Sequence, residues 1–182
     1  MRTFIAVDLP QHIKEKIAQI ETSLKECQVH AKWVNPNNCH LTLKFLGEVT
    51  EEQVGDIKNA IDDVAACQES VEVQLESFGF FPNQKRPRVF FVSINQEAIL
   101  KNIARMLEER LESIGFSKEK RFKSHITLAR FKGIKNIDCL KREMKEIPLG
   151  EVFTIDAITL FRSTLTSTGP LYAEIFKTTL KK

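Results

Sequence analysis

The chain has 182 residues, enough for one ordinary domain whose core folds alone. Its 42% hydrophobic and 28% charged content excludes a disordered or fibrous polymer, and no run approaches the roughly 18 apolar residues of a membrane span. A net charge of +3 permits a phosphate or nucleic-acid ligand without arguing for one. The four cysteines, Cys27, Cys39, Cys67 and Cys139, show no C-x-x-C spacing and no zinc pattern with histidine. Met1 to Asp8 reaches an acid at once, unlike a signal peptide. A cytoplasmic protein with free thiols is expected.

The elements follow from periodicity. Residues 2–9 are a β-branched and aromatic run ending at Pro10, and read as a strand. Residues 11–28 carry Ile13, Ile17, Ile20 and Leu24 at helical spacing. His12 at that helix's start is expected in solvent, and His30 lies near its end, where a cation is mildly favoured. Residues 32–46 read as extended, broken by the turn signal Asn35-Pro-Asn-Asn38. Trp33 belongs either near a site or in the core. Thr50-Glu-Glu-Gln53 is a capping box that opens a helix to about residue 66. Strands are expected over 70–81 and 89–94, on either side of the basic turn holding Lys85, Arg86 and Arg88. Residues 96–114 form a helix with Ile99, Ile103, Leu107 and Leu111 as its stripe, stopped by Gly115. A short helix near 136–146 and strands over 151–161 and 171–180 complete the chain, with a hydroxyl-rich loop between those strands. Most of the 13 phenylalanines fall in strand-like runs and read as core.

One pattern occurs twice. His40-Leu41-Thr42-Leu43 and His125-Ile126-Thr127-Leu128 both alternate polar and apolar, as half-buried strands do. Side chains two apart on a strand share a face, so each imidazole and its hydroxyl lie roughly 6.5 Å apart on one side. Leu41, Leu43, Ile126 and Leu128 take the other side. Two of the four histidines head this pattern, which points to one site built from two halves.

Paired His-x-Thr-x strands in a chain of this size resemble the 2H phosphoesterase superfamily. Within it the sequence is most similar to the RNA 2',3'-cyclic phosphodiesterases, historically called 2'-5' RNA ligases. The opening Arg2-Thr-Phe-Ile-Ala-Val-Asp-Leu-Pro10 resembles the family's first strand, and His40 to Glu48 its first motif, including Lys44 and Phe45. Ser124 to Arg130 resembles the second motif, although many members carry Pro where Ser124 stands. Leu160 to Ser163 and Gly169 to Tyr172 resemble the final hairpin, so the likeness covers essentially the whole chain. It implies an α+β fold, a single bilobed domain over residues 1–182. Two mostly antiparallel sheets with pseudo-twofold symmetry would flank a central cleft, with helices outside and both termini in one lobe.

Two imidazoles across a cleft suit phosphodiester chemistry: one takes a proton from water and the other gives one to the departing ribose oxygen. A histidine with a pKa near 6.5 serves either task. Thr42 and Thr127 can donate to the non-bridging oxygens, where charge builds. The sequence leaves the two roles open; the family resemblance favours His125 as base and His40 as acid. It also implies metal-independent, cofactor-free hydrolysis of an RNA 2',3'-cyclic phosphate or small cyclic nucleotide to a 2'-phosphate, with weak reversible 2'-5' ligation as a corollary. The family places an arginine at the position of Arg130 on phosphate. Strand parity turns Arg130 away from His125 unless a bulge or strand end near Ala129 turns it inward; otherwise it pairs with an acid at the surface. Lys44, four residues past His40, is expected on the site face, as a phosphate contact or a solvated rim lysine. Lys118, Lys120, Arg121 and Lys123 around Phe122, like Lys85, Arg86 and Arg88, read as solvated loops or RNA contacts. Ser163 and Tyr172 match family positions near the cleft. Cys39 faces away from His40 and is not expected to be a nucleophile.

Other function classes are a noncatalytic RNA- or nucleotide-binding module, which would not need two titrating groups, and a phosphodiesterase for another small cyclic phosphate. A metalloprotein is disfavoured because no carboxylate or Cys completes either motif at ligand spacing. A monomer is the default, with no membrane partner.

Overall fold

The computed structural model describes residues 1–119 and 121–182; Lys120 of the basic run lies outside them. In chain order come β1 (Arg2–Asp8), α1 (Gln11–Lys25), the short β2 (Ala31–Trp33), β3 (His40–Glu48) and α2 (Glu51–Ala65). Then follow β4 (Val71–Phe81), β5 (Val89–Ile94), α3 (Glu97–Glu112), β6 (His125–Phe131), α4 (Ile137–Glu143), β7 (Val152–Ile155), β8 (Ala157–Thr166) and β9 (Gly169–Thr179). The fold is α+β, as the resemblance implied.

Each long helix forms because its apolar residues recur on one face and are buried there. α1 buries Ile13, Ile17, Ile20 and Leu24. α3 buries Leu100, Ile103, Leu107 and Leu111, so Leu100 takes the place expected for Ile99, which stays exposed. α2 opens with the anticipated capping box: Gln53 N–H donates to Thr50 Oγ1, and the Gln53 amide oxygen accepts from Thr50 N–H.

The strands lie in the order β7-β4-β5-β6-β3-β1-β8-β9, with β2 paired beside them to β6. Every ladder between these strands is antiparallel. β3 and β6 meet through one residue pair, Leu41 with Ile126. The two expected sheets are therefore two halves joined at that seam. Outward from it the order is duplicated, β6 matching β3, β5 matching β1, β4 matching β8 and β7 matching β9. The first half of the chain lends β4 to the second half's sheet, and the second half returns β8 to the first. This exchange puts the first and last strands in one lobe.

Three local expectations are corrected. The run 151–161 is two strands, because the chain leaves β4 at Ile155 and crosses to β1 and β9 from Ala157. Its alternation continues across the break, so periodicity alone cannot show the change of partner. The hydroxyl-rich segment after Phe161 is mostly strand: β8 and β9 stay paired to Thr166 and Gly169, as threonine's β-branching allows. Cys27 and Cys139 form a disulfide across 112 residues of sequence, tying the end of α1 to α4, so only Cys39 and Cys67 are free. His12 is exposed, as expected, and its Nε2 donates to the Val152 carbonyl at 2.9 Å. Among the described residues no helix is long and apolar enough to cross a membrane.

Leu41 and Ile126 are both 0% exposed at the seam. Ile126→Ala should therefore cost about 2–5 kcal/mol of stability. Loss of the cap in Thr50→Ala should cost only about 1 kcal/mol. Urea unfolding of the two variants measures the difference.

Candidate active site

The seam sets the geometry of both motifs. Continuing the register of Leu41 with Ile126 puts His40 across from Thr127 and Thr42 across from His125. Opposed residues on antiparallel strands sit about 5 Å apart and point to the same side. Their apolar neighbours Leu41, Leu43, Ile126 and Leu128 are all buried on the reverse side. All four side chains line one cleft of about 840 Å³. Neither hydroxyl has a side-chain hydrogen-bond partner among the described residues, which leaves both available to a ligand.

The imidazoles are oriented alike. His40 Nδ1 lies 2.8 Å from the Asn38 carbonyl, and His125 Nδ1 lies 2.7 Å from the Lys123 carbonyl. A carbonyl only accepts, so both Nδ1 atoms carry the hydrogen and donate it. In the neutral ring Nε2 then holds the free lone pair. Aromatic rings collar each imidazole. Phe4 stacks on His40 at 4.7 Å, with Tyr172 edge-on at 5.3 Å. Phe81 and Phe91 meet His125 edge-on at 4.9 and 5.5 Å. Gly79 is required here, because a Cβ at that position would collide with the Phe91 ring.

Burial lowers the pKa of both histidines below the usual 6.5 by penalising the charged ring. The neighbouring charges differ. Around His40, the bond to Asn38 and the Asp8 carboxylate push upward, while His125 and Lys14 push down. Around His125, the bond to Lys123 pushes upward, while the charges of Arg130 and Lys123 push further down.

A bulge in each half decides where the next residues point. On β6 the pairing jumps from Thr127–Phe91 to Ala129–Phe90, so Leu128 is an extra residue. Leu128 and Ala129 are both buried, and Arg130 returns to the exposed side and lines the cleft. This is the bulge that the parity argument required. The equivalent jump on β3, from Thr42–Ala6 to Lys44–Ile5, makes Leu43 the extra residue and buries Leu43 and Lys44 together. Lys44 is therefore not on the site face. It is 3% exposed, its Nζ sits 2.9 Å from Glu108 on α3, and it donates to the Ser117 carbonyl at 2.7 Å. The even spacing from His40 misplaced it because one extra residue reverses the alternation. Phe45 takes the cleft-facing place that Arg130 holds in the other half.

Ser163 and Tyr172, cross-strand partners on β8 and β9, do line the cleft, as does Trp33. Lys85, Arg86, Arg88, Lys118 and Arg121 do not; Lys118 pairs with Glu112 at 2.6 Å. Lys123 lies over the Phe91 ring at 5.6 Å. Cys39 is buried, and its thiol is pushed up to about 12 by burial, far from a nucleophile's range. The sequence reading missed Lys32. It sits on β2 directly across from Arg130 and lines the cleft. Like charges directly opposed on a sheet repel, and the cleft supplies no carboxylate to relieve them: its lining includes Arg2, Lys32 and Arg130 but no Asp or Glu. An anion between Lys32 and Arg130 would remove the repulsion. Only the pairing of β2 with β6 could reveal this, since residues 32 and 130 are far apart in sequence.

Two histidines on adjoining strands of a duplicated antiparallel sheet, facing a cationic cleft, define a two-histidine phosphoesterase. The family model described as LigT-like phosphoesterase matches twice, over residues 7–91 and 92–172, once per half, and the chain belongs to that family. An RNA 2',3'-cyclic phosphodiesterase of Methanocaldococcus jannaschii is 36% identical over 178 residues, covering 96% of this chain and 98% of that one. The crystal structure of TT0787 of Thermus thermophilus superposes with a TM-score of 0.83 at 30% identity, covering 100% of this chain and 98% of that one. LigT of E. coli complexed with 3'-AMP gives 0.75 at 26% identity, covering 100% and 98%.

Lys44→Met should leave the Glu108 carboxylate, 13% exposed, without its cation. Breaking such a pair costs about 3–5 kcal/mol, so thermal or urea unfolding should show a strongly destabilised protein.

Proposed function

We propose that this protein hydrolyses RNA 2',3'-cyclic phosphate ends, and the corresponding cyclic nucleotides, to 2'-phosphates. The observation that carries the reading is the pair of Nδ1-tethered imidazoles whose Nε2 atoms are left for one cationic, carboxylate-free cleft. The names of the 29–36% identical relatives support it, as does the 3'-AMP complex of E. coli LigT. The whole chain acts as one bilobed unit, because each half borrows a strand from the other. A monomer suffices, since one chain supplies the entire site.

The roles follow from the charges around each ring. His125, beside Arg130 and Lys123, is held neutral and removes a proton from water. The water oxygen bonds to phosphorus, the bond from phosphorus to O3' breaks, and the charged His40 protonates O3'. Attack and departure are roughly in line, so the scheme has the base, His125, and the acid, His40, flank the phosphate. Thr42 and Thr127 donate to the non-bridging oxygens, and Arg130 with Lys32 neutralises the phosphate. With an RNA 5'-hydroxyl in place of water, the same step forms a 2'-5' phosphodiester. The scheme draws on no metal, and among the described residues no group of three or more His, Cys, Asp and Glu is gathered to hold one.

Turnover of the four nucleoside 2',3'-cyclic monophosphates in EDTA, with 2'- and 3'-phosphates resolved, tests the reaction. His40→Ala and His125→Ala should each lower kcat by roughly 10²–10⁴-fold. Lack of turnover by the unaltered protein, on these and on a short RNA with a cyclic end, would sink the proposal.

The pH profile of kcat/KM separates acid from base. Activity falls as pH drops and His125 gains a proton, and falls as pH rises and His40 loses one. Both free-enzyme values lie below 6.5, so the optimum should lie on the acid side of that value. Arg130→Gln removes a cation from His125 and should move the acid limb up. Asp8→Asn removes an anion from His40 and should move the alkaline limb down. Shifts on the opposite limbs would reverse the assignment.

A further inference from the structure

The cleft holds more cationic surface than one terminal phosphate uses. Lys32 and Arg130 stand together on one wall. Arg2, at the start of β1, also lines the cleft. It lies two residues beyond Phe4, the ring stacked on His40, which is roughly 6.6 Å further along the strand. Its cross-strand neighbour Glu48 approaches the chain's amino group instead, at 3.4 Å, and no ion pair holds the Arg2 guanidinium among the described residues. Tyr172 lines the same cleft as Arg2 and Arg130. Phe45, 58% exposed, lines the cleft together with Leu165 and Leu171. The cleft lining thus offers Arg2 and apolar side chains in addition to the Lys32–Arg130 pair, the two kinds of contact that the phosphates and bases of a single strand take.

We propose that Arg2 binds the phosphodiester immediately 5' to the cyclic end, so that the cleft selects oligonucleotide ends over free cyclic mononucleotides. This rests on the cyclic phosphodiesterase reading above and names the substrate class of that site. The cleft volume of about 840 Å³ agrees, being at the upper end of what one small ligand fills.

The probes are a nucleoside 2',3'-cyclic monophosphate, a dinucleotide with the same cyclic end, and that dinucleotide with a neutral methylphosphonate in place of its internal phosphodiester. The unaltered protein should favour the charged dinucleotide over the mononucleotide by about tenfold in kcat/KM, and the methylphosphonate should lose most of that preference. In Arg2→Gln the ratio of dinucleotide to mononucleotide should collapse toward one. The salt dependence for the dinucleotide should become shallower by about 0.7 in log–log slope, the value for one released contact on a single strand. The methylphosphonate comparison needs no variant, so it stands even if Arg2→Gln folds poorly. Equal turnover of all three probes, or a ratio unchanged in Arg2→Gln, overturns the second phosphate site while leaving the hydrolytic reading intact. No turnover of any probe by the unaltered protein instead removes the hydrolytic reading itself.

Discussion

Everything at the site depends on β3 and β6 meeting side by side at one residue pair. Leu41 and Ile126 are completely buried there, and the antiparallel register around them leaves no freedom in what comes next. His40, Thr42, His125 and Thr127 must face the same way because their neighbours face the core. The arrangement of these four side chains is thus fixed by strand geometry and hydrophobic burial, which hold positions more tightly than loops do. The tethers from each Nδ1 to a carbonyl two residues earlier then fix the rings themselves.

The site is prepared for an anion before one arrives. Both imidazoles lie among aromatic rings, and burial lowers the pKa of each. The cations are left to face one another, with Lys32 opposite Arg130 and no carboxylate in the lining. Like charges so opposed repel, and an anion between them would relieve the repulsion. The difference between Asp8 near one ring and Arg130 near the other turns two similar histidines into unlike partners.

The duplication explains both the symmetry and its breaking. Each half repeats a strand, a helix and a motif strand, and each hands its next strand to the other half's sheet. The same bulge follows both motifs. In one half it buries Lys44 as a strut to α3 and sets Phe45 toward the cleft; in the other it buries Ala129 and sets Arg130 there. A shared backbone with different residues at two positions sets an apolar side chain at one equivalent place in the cleft and a cation at the other.

The sequence alone determined the elements, the two motif strands and the face their histidines and threonines share. These are local properties: periodicity, capping chemistry and alternation are written into neighbouring residues. Arg130 was legible only conditionally, because parity stated that it needs a bulge without locating one. Lys44 was misread for the same cause, since an inserted strand residue reverses the faces beyond it and leaves no mark in the hydrophobic pattern. Lys32 opposite Arg130, the bond between Cys27 and Cys139, and the crossing of the chain at Asp156 were decided by tertiary structure alone. Each joins segments distant in sequence, and what selects such pairings is the shared burial of whole strands and helices, an energy that belongs to the packed molecule and to no stretch of it.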